Sequence, residues 1–321
     1  MRSGDERLLN PADLPSSLWD AGSKILSLPP ALARAYETLI DRHGPRALAN
    51  SRDRDDSPVG GLTQEKTDEH FAQAFDGSAA RAQLAMLDPK KDATAASNAY
   101  IKSLAGNRLS LTDAPCGAGA AALAFLANAA ALRASGVLPR EPLDVYLIGA
   151  ELSEPARVYA EELLAELTPS LEAQGIFVAA EFVFWDVTDD LRNTDLIRKM
   201  TLAAASNPNR LLVVANFNAF LEKEAKKKDA EPQLAELFRH ASGKQSVVVW
   251  IEPDMNRAVC SLFPWLCKMI KGAWRRFATV TMNIDDPIAT SHARFHLPLN
   301  PDQTARVGFA VMPIELVRSS K

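Results

Sequence analysis

Cysteine is scarce in this chain, and long apolar runs are missing. The 321 residues include three cysteines, Cys116, Cys260 and Cys267, with no Cys-x-x-Cys or Cys/His spacing. A disulfide framework and a structural zinc site are therefore not expected, and we predict no metal site. The longest apolar stretch, 118–132, is shorter than the roughly 20 residues of a membrane span and is interrupted by Asn128.

The beginning of the sequence also lacks the features of a targeting segment. MRSGDERLLNPADLP has acidic residues early and no apolar run, so neither a signal peptide nor an anchor is predicted. Hydrophobic residues make up 47% of the chain and charged residues 24%, an ordinary globular composition that can bury a core. We therefore expect a cytoplasmic protein that does not enter a membrane.

The net charge of −4 is unevenly distributed along the chain. Residues 109–256 carry 13 basic and 21 acidic side chains, whereas residues 257–321 carry 9 basic and 4 acidic ones. Basic and aromatic residues alternate in this tail: Trp265, Lys268, Lys271, Trp274, Arg275 and Arg276. Such mixtures bind phosphates and stack on bases, so RNA is a predicted partner through the C-terminal region. The alternative is an amphipathic helix whose apolar side packs on the sheet while its cations face solvent.

The chain divides into two parts near residue 105. Residues 1–105 are helix-compatible, with no competing strand pattern, and Phe71 and Phe75 lie there at helical spacing. Asp76-Gly77 is a candidate break in that helix. We expect this helical N-terminal extension to act as a lid or a partner-binding unit for a ligand-binding domain formed by residues 106–321.

From Leu109 onward, strand-like and helix-like segments alternate, which predicts an α/β fold with parallel strands joined by right-handed crossovers. The predicted strands are 109–114, 143–150, 177–185, 211–215 and 246–251. Three further β-like runs, 277–284, 293–299 and 306–316, follow one another too closely for intervening helices and predict antiparallel neighbours. The expected fold is a doubly wound, mostly parallel seven-stranded sheet with a C-terminal antiparallel hairpin.

Polar residues and glycines follow successive predicted strands, at the end of the sheet where doubly wound folds bind ligands. Asp113 ends the first strand, where it can meet a cationic amine. Gly117 and Gly119 follow it and allow close backbone approach to a ligand at a helix N-terminus. Glu151 ends the second strand, where a carboxylate can accept both hydroxyls of a ribose.

The next strand ends carry the same kind of residue. Asp186 follows the third strand and can accept a hydrogen bond from an exocyclic amine of a base. Asn216-Phe217-Asn218 follows the fourth, beside the place expected for a reacting group. Asn216 and Asn218 are therefore the predicted catalytic residues, in the role of orienting a nucleophile. Glu252 and Asp254, after the fifth strand, are further candidates for that role.

Over about residues 105–316, this set resembles the class I S-adenosylmethionine-dependent methyltransferases. Asp113–Gly119 is similar to their first motif, Glu151 to the ribose-binding acid, Asp186 to the adenine-binding acid, and Asn216-Phe217 to the segment near the transferred methyl group. The resemblance implies S-adenosyl-L-methionine as cofactor and methyl transfer as reaction. It extends the cofactor contacts to the residues beside these motifs: Pro115, Cys116, Leu152 and Val187.

Two rival interpretations concern the glycine-rich loop. Gly117 to Ala122 also satisfies the GxGxxA pattern of nicotinamide-binding domains, in which the ribose acid lies about 20 residues further on; here Glu151 is 34 residues after Gly117. Asp-Ala-Pro-Cys116 is similar to the segment that carries the nucleophilic cysteine of RNA cytosine-5 methyltransferases. Those enzymes need a glycine-rich loop upstream, which residues 1–108 lack, so Cys116 is interpreted as a loop residue beside the cofactor.

The methyl acceptor is left open by the sequence. RNA is the preferred class, and the order of the parts is loosely similar to methyltransferase-like proteins of the small ribosomal subunit, although their cysteine-rich cluster is missing. A small molecule or a protein is an alternative acceptor. A catalytically inactive, cofactor-bound scaffold or partner subunit is another alternative, because no catalytic base is identified; His70 is the candidate among five histidines.

Overall fold

A computed structural model describes residues 6–50, 61–207, 209–223, 226–243, 245–253, 257–274, 280–283 and 288–318. The described strands are β1 (Trp19–Asp20), β2 (Ile25–Leu26), β3 (Arg108–Asp113), β4 (Leu143–Glu151), β5 (Ile176–Phe184), β6 (Asn209–Ala215), β7 (Gln245–Glu252), β8 (Val280–Asn283), β9 (Ala289–Leu297) and β10 (Asn300–Arg318). The described helices are α1 (Pro30–His43), α2 (Arg46–Asn50), α3 (Gln64–Leu87), α4 (Thr94–Ser103), α5 (Ala120–Ala134), α6 (Glu154–Glu172), α7 (Asp190–Ser206), α8 (Asn218–Lys223), α9 (Lys227–Ala241) and α10 (Phe263–Trp274).

The described strands form a single sheet. Its order is β1-β2-β9-β10-β7-β6-β3-β4-β5, and β8 pairs with the far end of β10. The five strands β5-β4-β3-β6-β7 are parallel, and β10 lies antiparallel between β7 and β9. The predicted parallel strands and the closing antiparallel hairpin are therefore confirmed.

Alternate residues of the parallel strands face two different hydrophobic layers. Leu211 and Val213 of β6 pack with α1, α3, α4, α5 and α6 on one face, whereas Leu212 and Val214 pack with α7, α9 and α10 on the other. This period of two is what strands covered on both faces require. The chain runs from β3 through β4 to β5 on one side of β3, and then continues with β6 and β7 on the other side. The helices before and after β5, α6 and α7, lie on opposite faces of the sheet. The strand order therefore reverses at the β3/β6 junction.

Three sequence-based expectations need correction. The described part of the sheet has ten strands rather than seven. The extra strands include β1 and β2 in the N-terminal region, where no strand was expected; β2 pairs in parallel with β9 through Ile25 and Leu26. The helix through Phe71 and Phe75 is not broken at Asp76-Gly77, because α3 is continuous over 24 residues.

The N-terminal helices pack directly on the α/β layers. Phe71 and Phe75 are buried beside Tyr36 of α1, and the Phe71 ring also lies 4.6 Å from that of Tyr159 of α6. These contacts belong to the same hydrophobic cluster as β3, β4 and α5. The described residues within 6–50 and 61–105 thus share their core with the sheet, while the boundary of 1–105 as a separate domain stays a prediction.

No helix within the described ranges is both long enough and apolar enough to cross a membrane.

Candidate functional site at the carboxyl ends of the strands

The loops after β3, β4, β5, β6 and β7 lie at one end of the parallel sheet. We call these loops, together with the last residue of each strand, the carboxyl rim: residues 113–119, 151–153, 184–187, 215–218 and 252–253. The β3/β6 junction at the middle of this rim is the point at which ligands bind in doubly wound folds.

The glycine loop after β3 has the backbone that the sequence predicted. Gly117 has φ 53° and Gly119 has φ 80°, both in the left-handed region that favours glycine. Gly119 caps the start of α5 without a side chain. A Cβ at Gly117 would meet no atom within 4 Å, so the space beside this loop is open. Pro115 follows Ala114 through a cis peptide bond.

Asp113 lies fully buried beneath this loop. Its Oδ2 accepts a hydrogen bond of 3.1 Å from the amide of Ala122, in the first turn of α5. Its Oδ1 is buried and has no hydrogen-bond partner in the described part of the chain. Burial raises the pKa of Asp113 to about 7. The charge of the nearby Glu151 also raises this pKa, whereas the hydrogen bond from Ala122 lowers it. The carboxyl group can therefore accept a cationic donor that would stabilise its ionised form.

Glu151, at the end of β4, joins two loops of the rim. Its Oε2 accepts from the amide of Gly117 at 3.0 Å, and its Oε1 accepts from the amide of Ser153 at 2.9 Å. Burial raises its pKa, while these amide bonds and Arg157 act in the opposite direction. A carboxylate has about four lone-pair sites, so Glu151 keeps capacity to accept a hydroxyl donor. Leu152 lies between Glu151 and Ser153 in the chain.

Asp186 follows β5, which pairs with β4, so it lies next to the strand end that carries Glu151. The amide of Trp185 donates to the carbonyl of Glu151 at 3.2 Å, which fixes the β5 loop beside the β4 loop. Asp186 uses Oδ1 to accept from the amide and hydroxyl of Thr188, both at 2.8 Å. Val187 is buried behind it. Asp113, Glu151 and Asp186 are thus gathered along adjacent strand ends, as the sequence predicted.

Asn216 lies at the end of β6 and is bound by α3. Its Oδ1 accepts from Nη1 of Arg81 at 2.8 Å, and its Nδ2 donates to Oγ of Ser78 at 3.1 Å. Arg81 also donates from Nε to the carbonyl of Gly308 in β10 at 3.0 Å. At the other end of α3, the hydroxyl of Thr67 lies 3.2 Å from that of Ser153.

The helix α3 therefore extends along the rim from the β4 end to the β6 end. Phe71 and Phe75 are buried against Tyr36, and the polar side of α3 contacts the rim. His70 is half-buried on this helix, and burial lowers its pKa. No bond from His70 to a rim residue is seen in the described part of the chain.

The other predicted catalytic residue, Asn218, is buried at the start of α8. Its amide and that of Phe217 donate to Oε1 of Glu252 at 3.0 and 3.1 Å, and Nε1 of Trp250 donates to the same oxygen at 2.6 Å. Burial nevertheless raises the pKa of Glu252 to about 7. Glu252 thus fixes the backbone after β6, while Asp254 lies outside the described residues.

Cys116 fits the loop interpretation better than the nucleophile interpretation. Its amide donates to the carbonyl of Ala150 at 2.9 Å, and its side chain is 6% exposed. Burial, together with Asp113 and Glu151, raises the pKa of its thiol. A reactive cysteine needs the opposite environment, one that stabilises the thiolate.

Sequence reasoning missed Ser78 and Arg81, which contact the rim from the N-terminal region. A stripe at helical spacing, Thr67, Ala74, Ser78 and Arg81, is the only local signal for them. Among the described residues, no group of three or more His, Cys, Asp or Glu side chains is arranged to hold a metal ion.

No protein family model matches the chain, and no curated protein matches it. Similar solved structures include precorrin-6y C5,15-methyltransferase from Geobacter metallireducens GS-15, at 7% identity and TM-score 0.34, over 68% of this chain and 87% of that one. Another is a Listeria monocytogenes protein assigned to the class I S-adenosylmethionine-dependent methyltransferases, at 11% identity and TM-score 0.36, over 81% of this chain and 71% of that one. Both TM-scores are below 0.5.

The raised pKa of Asp113 predicts a pH dependence of stability. The folded protein keeps a proton on this carboxyl group up to about pH 7, whereas an unfolded chain loses it near its ordinary value of 3.8. The free energy of unfolding should therefore fall as pH rises from about 4 to about 7, by roughly 4 kcal/mol for this group. We expect Asp113→Asn to reduce that dependence in urea unfolding at pH 5, 6, 7 and 8, and to leave the part that Glu252 contributes.

Asp144→Asn, at an exposed position on the neighbouring strand β4, is the matched control. It should leave the slope of the wild-type protein unchanged. Equal slopes for Asp113→Asn and the wild-type protein would show that Asp113 does not titrate as a buried group.

Proposed function

We propose that the chain binds S-adenosyl-L-methionine at the carboxyl rim and acts as a methyltransferase. The observation that carries this proposal is the arrangement of Asp113, Glu151 and Asp186 at three adjacent strand ends around the loop Gly117–Gly119. The bond between the Gly117 amide and the Glu151 carboxylate makes these loops one unit.

The residues present fit this cofactor. The buried, unpartnered Oδ1 of Asp113 is an acceptor for the cationic amine of its methionine part. The open space at Gly117 allows the ligand to approach the backbone. Glu151 has acceptor capacity left for the ribose hydroxyls, and Oδ2 of Asp186 is the acceptor for the adenine amine. Pro115, Cys116, Leu152, Val187 and Phe217 are the flanking contacts.

When bound, S-adenosyl-L-methionine supplies an electrophilic methyl group on a positively charged sulfur. Carboxylates in a partly buried rim attract such a cation more strongly than they would in water. The chain's own contribution is then mostly alignment and exclusion of water. Asn216 and α3 border the part of the rim where the methyl-accepting substrate would bind. The side-chain amide of Asn216 is the group that would orient this substrate.

Isothermal titration calorimetry with S-adenosylmethionine and S-adenosylhomocysteine tests this site. Asp113→Ala and Glu151→Ala each remove an acceptor from the rim, so we expect both ligands to bind more than about tenfold more weakly, a loss of about 1.4 kcal/mol. Glu161→Ala, on the exposed side of α6, should bind like the wild-type protein. A wild-type protein that binds neither ligand would refute the proposed function.

RNA is the acceptor class that we propose. Lys268 and Lys271 are exposed on α10 and can contact phosphates, while Arg275 and Arg276 lie outside the described residues. The apolar side of α10 is buried, as the amphipathic alternative expected. Trp265 is bound by Nε1 to Glu231 of α9 at 3.0 Å, so it is held against the protein. Support for RNA therefore comes from the cations rather than from this ring.

The acceptor proposal predicts salt-sensitive RNA binding. The logarithm of the association constant should fall linearly with the logarithm of salt concentration, and Lys268→Ala with Lys271→Ala should reduce the slope by roughly one to two units. Fluorescence anisotropy with a labelled RNA measures this, and Lys90→Ala with Lys91→Ala provides a distant control. Binding that does not depend on salt would contradict the proposal.

An inactive scaffold is favoured by one observation: both side-chain polar atoms of Asn216 already have partners in α3. Incubation with methyl-labelled cofactor and cellular RNA, protein and small-molecule fractions separates the two functions. A methyltransferase labels one fraction, and RNA is the expected one. A scaffold binds the cofactor and labels none.

A further inference from the structure

Asn216 is held in a defined orientation. Arginine has only donors, so the oxygen of the Asn216 amide must face Arg81, and its nitrogen then faces the hydroxyl of Ser78. The remaining lone pair of Oδ1 and the second hydrogen of Nδ2 are the groups left for a ligand. Asn216 is half-buried, so part of the residue is still accessible.

The backbone of Asn216 is held as well. Its φ of 57° lies in the left-handed region, which residues other than glycine rarely adopt, although asparagine tolerates it better than most. The amide of Asn216 donates to the carbonyl of Ile251 at 2.9 Å, and Glu252 accepts from the next two amides. The side chain of Asn216 therefore leaves the β6 end in one direction.

Arg81 connects this residue to two other parts of the fold. Its Nε donates to Gly308 of β10, while its Nη1 donates to Asn216, so the planar guanidinium bridges β10 and β6 from α3. Burial lowers the pKa of Arg81 to about 10, and the charge of Glu252 opposes that change. Arg81 therefore stays charged near neutral pH and supplies a cation beside the buried Glu252. A lysine ammonium lacks the rigid planar fork that makes both bonds.

We propose that Arg81 is a positioning residue that sets the side-chain amide of Asn216 for the methyl-transfer site. This inference rests on the proposed function. It assigns to the N-terminal helix α3 a role at the reaction site, in addition to packing on α5. Arg81 does not hold the cofactor itself, because the proposed cofactor contacts Asp113, Glu151 and Asp186 lie at other strand ends.

The first measurement needs no ligand. Hydrogen exchange followed by mass spectrometry compares the wild-type protein with Arg81→Gln and Arg81→Lys. Loss of the Arg81 bond should increase exchange in the peptide 209–223 about tenfold, while the peptide 143–153 at the β4 end stays unchanged. Arg46→Gln is the matched control, because it removes an exposed arginine that pairs with Asp41 at 2.6 Å.

The second measurement reads the site with its cofactor. The methyl resonance of [methyl-13C]S-adenosylmethionine bound at saturation should move in both Arg81 variants, while the dissociation constant stays within about threefold of the wild-type value. A purely structural role would change the melting temperature and leave this resonance in place. Arg46→Gln should leave both unchanged.

The outcomes distinguish the two proposals. Absence of cofactor binding by the wild-type protein would refute the proposed function, and this inference with it. Binding by every variant, with an unchanged methyl resonance and unchanged exchange in 209–223, would refute the role of Arg81 alone.

Discussion

The hydrogen bond between the Gly117 amide and the Glu151 carboxylate, 3.0 Å long, is the contact on which the carboxyl rim depends. It joins the loop after β3 to the loop after β4, and the β5 loop is then held by the bond from Trp185 to the carbonyl of Glu151. Parallel pairing alone brings strand ends together. These two bonds determine which side chains and amides lie next to one another there, and so give the rim its chemistry.

The same arrangement places acidic groups where ionisation is costly. Asp113 and Glu252 are buried at the ends of β3 and β7, and the pKa of each is raised to about 7. Buried carboxyl groups with raised pKa values occur often at functional sites, although structural networks produce them too. The two groups differ in their partners. Glu252 accepts three hydrogen bonds at one oxygen and sits near Arg81, whereas Asp113 keeps one oxygen without a partner. Glu252 therefore serves the architecture of the β6 loop, and Asp113 is the better candidate for a ligand.

The parallel sheet and the strand-end positions of the candidate site residues were predictable because their signals are local. Each parallel strand is a short, mostly apolar run that ends in a polar residue or is followed by one within two residues, and the predicted bounds agree with the structure to within about two residues. The strands β1 and β2 have only two residues each, too few for a period-two pattern. They pair with each other, and β2 joins the sheet by pairing with β9, far away in the chain. Gly77 costs α3 about 1 kcal/mol of helix propensity. Burial of Phe71, Phe75 and the apolar residues around them outweighs that cost, which explains why the expected break is absent. Arg81 and Asn216 are 135 residues apart, and sequence spacing does not predict such a contact.

The measurement that tests this account most directly is a crystal structure of the protein with S-adenosylhomocysteine. The account predicts that the ligand lies across the ends of β3, β4 and β5, with its ribose hydroxyls at Glu151 and its adenine beside Asp186. A ligand bound elsewhere on the molecule, or a rim that stays empty at saturating ligand, would contradict it.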